Sequence, residues 1–583
     1  MTVNTHKETK LLTDMSQCQP GAALSAQAQR GRWQLASYKT DEVSGAMVLA
    51  RTETGAPEIT LPLQARGWHA IYLGFMGDTW AGRPLLRVKL SGDPCFVRVE
   101  TEADIRHLEE GFWKAADLTG QDLVIAPQTI FAEPRPASLA CVRLVPLAEE
   151  EVRRYQDRSK TRRLIAMDDG DGFFLSGTFS AQDIQQEIEP YRDSDVGKIF
   201  VEMWHGDHAH YPTRVGVLWG EGAEDFPQPI YRCIAEGARG MKERGIDPLQ
   251  VALEYAHRIG LEFYASMRFL FGMYPPAEVF EGPFFRAHPE LRCRDYDGTE
   301  VSHPSFAFPE VRDYVLSLLA ETASYDIEGL NLIFLRGQPF VLYEKPVVEG
   351  FQREAGTDPA TLIEKDERWR WYEQVEMPTF WYGDRPAMEK VAEQRVTRVN
   401  ELSAPVQAWL RYRARAMTEF MRGLRGLLKR IGKGQKISAV VFANEADNLF
   451  YGLDVEAWIK EGLVDIIIPY PWPEYFEIDM EFFERITKNS KCEMYPNVMP
   501  RQMSPNEYLE KARRYYEHGA DGLAFWDCNG RYPLLNQWQA VRELGHQEEL
   551  GKWLETERFP RRFSLLRRVA DYTVDRYWPG SGG

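Results

Sequence analysis

The sequence predicts an α/β protein in which an antiparallel β-sandwich precedes a barrel of parallel strands and helices. Three observations support this prediction. The length of 583 residues exceeds what one ordinary core can bury, so two or three domains are expected. The first 150 residues are rich in short alternating β segments. After residue 163, apolar strands alternate with long helical stretches.

Residues 31–150 are predicted to form the sandwich. Polar and apolar residues alternate in short runs separated by Gly, Pro and Asp, which is typical of antiparallel strands with one solvated face. The clearest runs are GWHAIYLGF at 67–75, LLRVKLSG at 85–92, CFVRVETE at 95–102 and LACVRLVPL at 139–147. We expect residues 1–30 to be an N-terminal tail and the charged residues 151–162 to be a linker.

Residues 163–575 are predicted to form a (β/α)8 TIM barrel, followed by a tail at 576–583. Eight apolar runs fit parallel strands that are covered on both faces. They are RLIAMDD at 163–169, KIFVEMW at 198–204, EFYASMRF at 262–269, GLNLIFLR at 329–336, ISAVVFAN at 437–444, VDIIIPYP at 464–471, CEMYPNV at 492–498 and GLAFWD at 522–527. Helix signals lie between them, such as the capping box from Ser504 to Glu507 and the cap at Asp454.

The longest connection, residues 337–407, is rich in aromatic residues. Long loops after strand ends lie on the catalytic face of such a barrel, so this insertion is expected to be an active-site lid. An exposed contact between copies of the chain would have the same composition, and the sequence allows a homo-oligomer.

Composition excludes several classes of function. A formal net charge of −17 argues against nucleic acid as a partner, because phosphate binding needs clustered Lys and Arg. No apolar run reaches the roughly 18 residues that a membrane span requires, and residues 1–17 lack the apolar core of a secretory signal. The seven scattered cysteines form no CxxC pair, which favours reduced thiols over a disulfide framework or a zinc site, and a cytoplasmic location. No metal and no other cofactor is predicted.

In a parallel barrel the carboxyl ends of the strands converge on one site, so the residues there are the functional candidates. Carboxylates, arginines, amides and aromatic rings together suit sugars, whose CH faces pack on rings and whose hydroxyls need polar partners. The candidate catalytic residues are Glu445, Asp169, Glu202 and Asp527. The candidate substrate-binding residues are Trp204, His205, Asp207, Arg268, Asn331, Arg336, Asn444, Tyr470, Trp472, Asn497 and Trp526.

Each candidate also has a structural interpretation. The DDGDG stretch at 168–172 has the composition of an ordinary turn, because Asp and Gly are common turn residues. Glu202, expected on the same face as Trp204, could be held in an ion pair by Arg336 or Arg268. His205, His208 and His210 could bind a metal, although the HxxHxH spacing matches no well-attested site. The two tryptophans Trp204 and Trp526 could serve barrel packing instead of sugar binding.

Three stretches of the chain resemble a known family. They are residues 288–336, 449–469 and 508–527, the first of which joins a helix to an apolar strand through YDIEG. The order of sandwich and barrel is similar to that of the glycoside-hydrolase barrels of the glycosyl-hydrolase-like-ten type. The resemblance implies action on glycosides and does not identify the sugar.

One position departs from the family pattern. The fourth strand of the family carries a late acidic residue, and this chain has Ile333 there, with Asn331 expected on the opposite face. An aliphatic side chain cannot transfer a proton or stabilise a cationic transition state. The chemistry must then depend on other strands, or the hydrolytic mechanism has changed or been lost.

The preferred mechanism is glycoside hydrolysis by two carboxyl groups. Glu445 is expected to be the general acid, with its pKa raised by burial among aromatic residues. Asp169 or Glu202 would be its partner, with Asp527 in reserve. Arg268 and Arg336 would orient the sugar or bind an acidic one, and the amides of Asn444, Asn331 and Asn497 would bind hydroxyl groups.

Two other functions remain open from the sequence. One is a non-catalytic or altered-mechanism carbohydrate-binding barrel, which the loss of the acid at Ile333 favours. The other is a metal-dependent sugar isomerase or lyase that uses the histidines of residues 205–210. In each case the expected partner is a carbohydrate or a glycoside.

Overall fold

The structure is a computed structural model. It describes residues 8–51, 55–76, 85–101, 106–128, 136–158, 161–175, 179–226, 228–271, 281–374, 393–471, 477–526, 534–556, 558–559 and 562–574. Mixed sheets and helices make the chain an α/β protein, as the sequence predicts.

The strands are numbered here in chain order. Strands β1–β12 are Lys10–Leu12, Leu24–Ser25, Trp33–Thr40, Ser44–Arg51, Ile59–Leu61, Trp68–Met76, Leu85–Leu90, Val97–Glu100, His107–Asp117, Leu123–Pro127, Pro136–Leu139 and Cys141–Pro146. Strands β13–β24 are Leu164–Asp168, Val196–His205, His208–Ala209, Val217–Leu218, Glu262–Arg268, Arg292–Arg294, Glu300–Pro304, Gly329–Ile333, Lys436–Phe442, Ile466–Tyr470, Glu493–Met494 and Leu523–Phe525. Strands β25 and β26 are Arg562–Val569 and Tyr572–Thr573.

The α-helices are numbered in the same way. Helices α1–α8 are Glu149–Arg158, Ala181–Ile188, Pro229–Glu243, Pro248–Arg258, Pro283–Ala287, Pro309–Thr322, Lys345–Ala355 and Leu362–Lys365. Helices α9–α16 are Glu367–Gln374, Ala404–Ile431, Glu445–Phe450, Val455–Lys460, Met480–Thr487, Pro505–Glu517, Leu535–Val541 and Leu550–Glu555. None of the described helices is long and apolar enough to cross a membrane.

Two antiparallel sheets form the N-terminal unit. The larger sheet has the order β1-β12-β6-β9-β25-β3-β4-β11, and the smaller one has the order β5-β10-β7-β8. Val48 and Leu73 from the larger sheet are fully buried in one core with Val88 and Ile125 from the smaller sheet. This arrangement, two sheets around a shared apolar core, is that of a sandwich.

The N-terminal unit uses segments that the sequence analysis placed elsewhere. Lys10–Leu12, expected in a tail, pairs with β12. Arg562–Val569, expected in the barrel, lies between β9 and β3 in the larger sheet. Both corrections have the same cause, because a strand joins whichever sheet offers a partner edge, however distant in sequence that edge is.

Among the described residues, eight parallel strands form the centre of the second unit. Strands β13, β14, β17, β20, β21, β22 and β23 pair in chain order, and each pair is parallel. Strand β13 also pairs with β24, and a parallel bridge joins Asn497, just after β23, to Ala524 of β24. The pairing therefore returns to the strand at which it began.

Helix signals in the sequence are confirmed where the structure describes them. Ser504 and Glu507 form the reciprocal capping box of α14, and Asp454 caps α12. Helix α10 buries a row of apolar side chains that includes Met417, Phe420, Met421, Leu424 and Leu428.

The predicted lid, residues 337–407, is described up to residue 374 and from residue 393. Three of its aromatic residues in this part are buried: Phe340 packs on Phe269, Tyr343 on Trp409 and Trp369 on Phe450. These three rings contribute to the core beside α10 and do not form an exposed surface. Three other aromatic residues of the predicted lid, Phe380, Trp381 and Tyr382, lie outside the described residues.

The position of β25 generates a test. Leu566 is 2% exposed and packs in a small core with Tyr38 and Met47. Leu566→Ala should destabilise the N-terminal unit by about 2–5 kcal/mol, because the cavity left behind collapses only partly. Chemical denaturation followed by tryptophan fluorescence measures the shift. The exposed neighbour Arg567→Ala is the control and should change the stability by less than about 0.5 kcal/mol; equal shifts for both variants would contradict the packing of β25.

Candidate active site

Four neighbouring strands bring a polar cluster together at their carboxyl ends. In sheet order these are β24, β13, β14 and β17, and they contribute Trp526, Asp169, Glu202 and Arg268. All four residues were candidates from the sequence. Their convergence follows from the parallel register, which places equivalent strand ends at the same edge.

Arg268 connects the two carboxyl groups of this cluster. Its Nη2 lies 2.7 Å from Asp169 Oδ1 and 2.6 Å from Glu202 Oε2. These two oxygens are therefore at most about 5.3 Å apart, the sum of the two distances. Arg268 is 5% exposed, so the charge of its guanidinium needs these partners.

Asp169 is the ionised member of the pair. Burial alone would raise its pKa, but the Arg268 guanidinium and the Trp526 N–H outweigh burial and hold the pKa at about 2. Trp526 Nε1 donates a hydrogen bond of 2.6 Å to Asp169 Oδ1. The side chain keeps 23% of its surface exposed, so a ligand can reach it.

Glu202 has the opposite protonation behaviour. It is 1% exposed, and burial raises its pKa well above the usual range, with Arg268 offsetting only part of the effect. The other carboxyl oxygen, Oε1, contacts His205 Nε2. Burial and the nearby Arg268 lower the pKa of His205 well below its usual range. The raised pKa of Glu202 and the lowered pKa of His205 fit a protonated Glu202 carboxyl group that donates to a neutral imidazole.

Asp171 is a third acidic residue at this site. Burial and the ionised Asp169 nearby raise its pKa well above the usual range. His210 Nδ1 lies 3.0 Å from the Glu202 backbone carbonyl oxygen, so Nδ1 must carry the ring proton in order to donate to it. The other ring nitrogen, Nε2, is then an acceptor, and it lies 3.9 Å from Asp171 Oδ1. Two acceptors face each other unless Asp171 is protonated. Its side chain is 24% exposed.

Asp168 lies on the opposite side of β13 from this site. Burial and the Glu187 carboxylate on α2 raise its pKa to about 8, and the Gly170 N–H donates to its Oδ1 over 2.8 Å. Glu187 in turn contacts Arg98 of β8 in the N-terminal unit. Asp168 therefore belongs to the packing of β13 against α2 and the sandwich.

A second group of residues extends the site. Tyr470 packs edge-on against Trp526 with the ring centres 5.1 Å apart. The guanidinium of Arg268 lies 5.2 Å from the centre of the Trp526 ring. Arg336 and Arg501 both act to lower the pKa of Asp169, which places their charges at the same end of the strands.

Glu445, the preferred general acid from the sequence, has a different environment. Asn444 is the N-cap of α11: its Oδ1 accepts from Asp447 N over 2.9 Å, and its Nδ2 donates to Asp447 Oδ2 over 2.6 Å. Glu445 Oε2 accepts from the backbone N–H of Val399 over 3.1 Å. The contacts of both residues thus serve the start of α11 and its link to residue 399, and not the Arg268 cluster.

Trp204 and Asp207 also serve packing in this structure. A register shift between Glu202 and Trp204 turns the indole outward, which corrects the expectation that the two share a face. Trp204 Nε1 donates to Thr322 Oγ1 of α6 over 2.7 Å. Asp207 is fully buried and accepts from Gly282 N and from the Tyr314 hydroxyl.

The three histidines of residues 205–210 surround one tryptophan. His205, His208 and His210 each pack edge-on against Trp219, with ring centres 5.2, 5.8 and 6.1 Å away. Within the described ranges, no group of three or more His, Cys, Asp or Glu side chains has the arrangement of a metal site. The histidines therefore pack and orient carboxyl groups in this structure.

Asn331 and Asn497 lie in the polar interior of the parallel strands. Asn331 Nδ2 donates to Ser266 Oγ over 3.0 Å, and Asn497 Nδ2 contacts Met167 Sδ at 3.8 Å. Both Oδ1 atoms are buried with no hydrogen-bond partner in the described structure. Asn331 and Ile333 are two residues apart in β20, so they share a face, contrary to the expectation from the sequence.

Two candidates, Trp472 and Asp527, lie outside the described residues. Two further residues of this site were missed by the sequence analysis as candidates, Asp171 and Arg501. For Asp171 the sequence did contain a signal, because the glycine before it, Gly170, marks a turn at the end of β13. In the structure Gly170 adopts a left-handed φ of 74°. Arg501 lies beyond β23 and carried no comparable signal.

The chain belongs to the family described as Glycosyl hydrolase-like 10, whose sequence profile matches residues 175–499. The resemblance inferred from the sequence is thereby confirmed. The match includes two of the three stretches that indicated it, and the third, residues 508–527, lies beyond its end. No curated protein matches the chain significantly.

Solved structures of several glycosidases are also similar. The α-L-fucosidase isoenzyme 2 of Paenibacillus thiaminolyticus is 12% identical, with a TM-score of 0.35, over 68% of this chain and 50% of that one. The β-galactosidase of Marinomonas ef1 is 10% identical, with a TM-score of 0.40, over 68% of this chain and 60% of that one. Gan42B, a GH42 β-galactosidase of G. stearothermophilus, is 14% identical, with a TM-score of 0.39, over 68% of this chain and 57% of that one.

The matched region spans about half to three fifths of these enzymes.

The buried state of Asp168 generates a pH prediction. Its pKa of about 8 in the folded chain lies above the ordinary value of 3.8, so folding favours the protonated acid. The wild type should lose stability relative to Asp168→Asn as the pH rises from about 4 to about 8, and the difference should then level off. Thermal unfolding midpoints at pH 5 and pH 8.5 measure this. A difference that does not change with pH would contradict the burial of Asp168.

Proposed function

We propose that the chain hydrolyses a glycosidic bond at the carboxyl ends of its parallel strands, and that these strands form a (β/α)8 barrel. The family assignment supports the reaction class, and the pairing that returns from β24 to β13 supports the barrel. The substrate would be a carbohydrate or a glycoside.

One observation carries the mechanism. Asp169 and Asp171, two residues apart and each about one quarter exposed, have pKa values shifted in opposite directions. Glycoside hydrolysis needs one ionised carboxylate and one protonated carboxylic acid. Environments that separate the pKa values of two carboxyl groups assign these roles.

In this mechanism Asp169 is the ionised group that acts as nucleophile or base, and Asp171 protonates the leaving oxygen. Glu202 is 1% exposed, and the Arg268 guanidinium lies between it and Asp169, so no sugar fits between those two carboxyl groups. Glu202 acts through Arg268, which it holds against Asp169. It is a positioning residue.

The aromatic rings would supply the apolar side of the site. Trp526 and Tyr470 form an edge-on pair beside Asp169. Such rings pack against the CH faces of a sugar while the polar groups bind its hydroxyls. The described cysteines are buried unpaired thiols, which is compatible with a cytoplasmic enzyme.

A non-catalytic carbohydrate-binding protein is the second candidate. Ile333 occupies the position near the end of the fourth strand at which the family carries an acidic residue, and an aliphatic side chain there cannot transfer a proton. It lies on the same strand face as Asn331 and next to Arg268 in the register, which favours this alternative. Binding without turnover by the wild type would support this alternative.

Substitution of the acidic residues tests the assignment. Asp169→Asn and Asp171→Asn should each lower kcat by at least about 10²-fold, since each removes one half of the acid–base pair. A panel of aryl glycosides in both anomeric forms measures turnover, and calorimetry with the released sugar measures binding.

Glu445→Gln is the matched control for these two variants. Glutamine still accepts the Val399 N–H, so this variant should keep activity within about threefold of the wild type, because the change affects no proposed catalytic group. If Glu445→Gln abolished turnover and Asp171→Asn did not, the general acid would be Glu445 and our assignment would be wrong.

The Trp526–Asp169 hydrogen bond generates a pH prediction. Trp526→Phe removes a donor to the ionised carboxylate, so the pKa of Asp169 should rise from about 2. Activity requires the ionised form, and the acidic limb of the kcat/KM profile should therefore move to higher pH. Tyr470→Phe keeps the aromatic ring and leaves the Trp526–Asp169 hydrogen bond intact, so the acidic limb of its profile should stay in place. An unmoved limb in Trp526→Phe would contradict the proposed role of Asp169.

A further inference from the structure

His210 is fixed to β14 by two hydrogen bonds. Its backbone N–H donates to the carbonyl oxygen of Met203 over 3.0 Å, and its ring Nδ1 donates to the carbonyl oxygen of Glu202 over 3.0 Å. Both acceptors lie at the register shift between Glu202 and Trp204. Such irregular points in strands occur often beside active sites, where they redirect a side chain. The ring of His210 therefore has one position relative to the end of β14.

Gly170 leaves the space that the Glu202–His210 hydrogen bond occupies. A Cβ atom at Gly170 would lie 2.5 Å from the Glu202 carbonyl oxygen and 3.0 Å from His210 Nδ1. Any side chain at this position would collide with the bond. Gly170 stands between Asp169 and Asp171, so the turn that carries both acidic residues packs directly against this hydrogen bond.

The hydrogen bond to Glu202 also determines which ring nitrogen of His210 carries the proton. A backbone carbonyl oxygen can only accept, so Nδ1 must be the donor. The ring packs edge-on against Phe174 and Trp219, with ring centres 5.5 and 6.1 Å away. Burial and the neighbouring His205 lower the pKa of His210 to about 3. The ring is therefore neutral at ordinary pH, and Nε2 is an acceptor.

The acceptor Nε2 faces one oxygen of Asp171. Asp171 Oδ1 lies 3.9 Å from it, which is beyond an ordinary hydrogen bond. Both atoms are buried, and neither has a hydrogen-bond partner within the described ranges. The side chain of Asp171 is 24% exposed, so its accessible part does not include Oδ1. A ligand therefore reaches this carboxyl group at the side of Oδ2.

An acceptor in this position favours the protonated form of Asp171. Donors stabilise a carboxylate, whereas a lone pair beside it does not. A protonated Asp171 can donate to Nε2, but an ionised one would place a negative oxygen beside the lone pair. The other charged or titratable groups near Asp171 are Asp168 and Asp169 on its own segment, Glu202 of β14 and Arg268 of β17.

We propose that His210 is a positioning residue for the general acid Asp171: it presents an acceptor to Oδ1 and keeps the carboxyl group protonated until a leaving oxygen takes the proton at Oδ2. The inference rests on the proposed function and assigns the residue that prepares its acid. The register shift in β14 and the glycine at 170 are then parts of the same arrangement, because both hold His210 in place.

Two variants of His210 test the proposal. His210→Phe keeps the edge-on packing and removes both nitrogens, whereas His210→Asn can still donate to the Glu202 carbonyl and removes only the group at Nε2. Without the acceptor Asp171 should ionise more readily, so the alkaline limb of the kcat/KM profile should move to lower pH by about one unit in both. A limb that moves in neither variant, or in only one of them, would overturn the proposal.

His208→Phe is the matched control. His208 lies two residues earlier, is also fully buried, and packs on the same Trp219 with ring centres 5.8 Å apart. Its Nδ1 lies 3.2 Å from Asp207 Oδ1. His208→Phe should leave the alkaline limb in place even where it lowers the stability. A shift equal to that of the His210 variants would overturn the specific role of His210.

Magnetic resonance of the full chain gives a measurement that needs no turnover. In protein with ¹⁵N-labelled histidine, the signal lost in His210→Phe belongs to His210 and should show a proton on Nδ1 and none on Nε2. In protein with ¹³C-labelled aspartate carboxyl groups, the signal lost in Asp171→Asn belongs to Asp171. Its titration midpoint should be lower in both His210 variants than in the wild type.

These signals separate the failure of this inference from the failure of the proposed function. The expected tautomer and midpoints, without cleavage of any glycoside, would refute hydrolysis and support the pairing of His210 with Asp171. Cleavage of a glycoside by a chain whose His210 carries its proton on Nε2 would refute the role of His210 and leave hydrolysis standing. An Asp171 midpoint that is the same in all three proteins would have the same meaning.

Discussion

The contact of one arginine with two carboxyl groups determines the chemistry of this site. Arg268 is buried, and its Nη2 lies within 2.7 Å of oxygens from Asp169 and Glu202. Asp169 is partly exposed and also accepts the Trp526 N–H, whereas Glu202 is sealed from solvent, so the pKa of Asp169 is lowered and that of Glu202 is raised. The neutral His205, the Trp526 hydrogen bond and the raised pKa of Asp171 all depend on that division.

The sequence predicts which strand ends lie together, and it does not single out Asp171 or Arg501. Asp169, Glu202, Arg268 and Trp526 could be predicted to meet because each ends an apolar strand, and parallel strands bring their ends together. Asn444 and Glu445 end a strand in the same way, but an amide followed by acids is also the pattern of a helix N-terminus, and α11 begins there. Strand position alone cannot distinguish these two uses.

Local irregularity explains the remaining differences at the site. The register shift after Glu202 turns Trp204 toward α6, and no residue type in KIFVEMW signals a bulge. The apolar runs and caps predicted the strands and helices themselves, as with α14 and its capping box. The partner of a strand such as β25 depends on long-range packing, and its own eight residues do not encode it.

The place of β25 also fixes an order of assembly. During synthesis, residues 10–146 leave the ribosome long before residues 562–569, yet the larger sheet needs that late strand between β9 and β3. Until it arrives, β9 and β3 each present an unpaired edge, which is a template for association with other chains. The N-terminal unit is thus completed only after the parallel strands have been made, and the folding of the two units is linked in time.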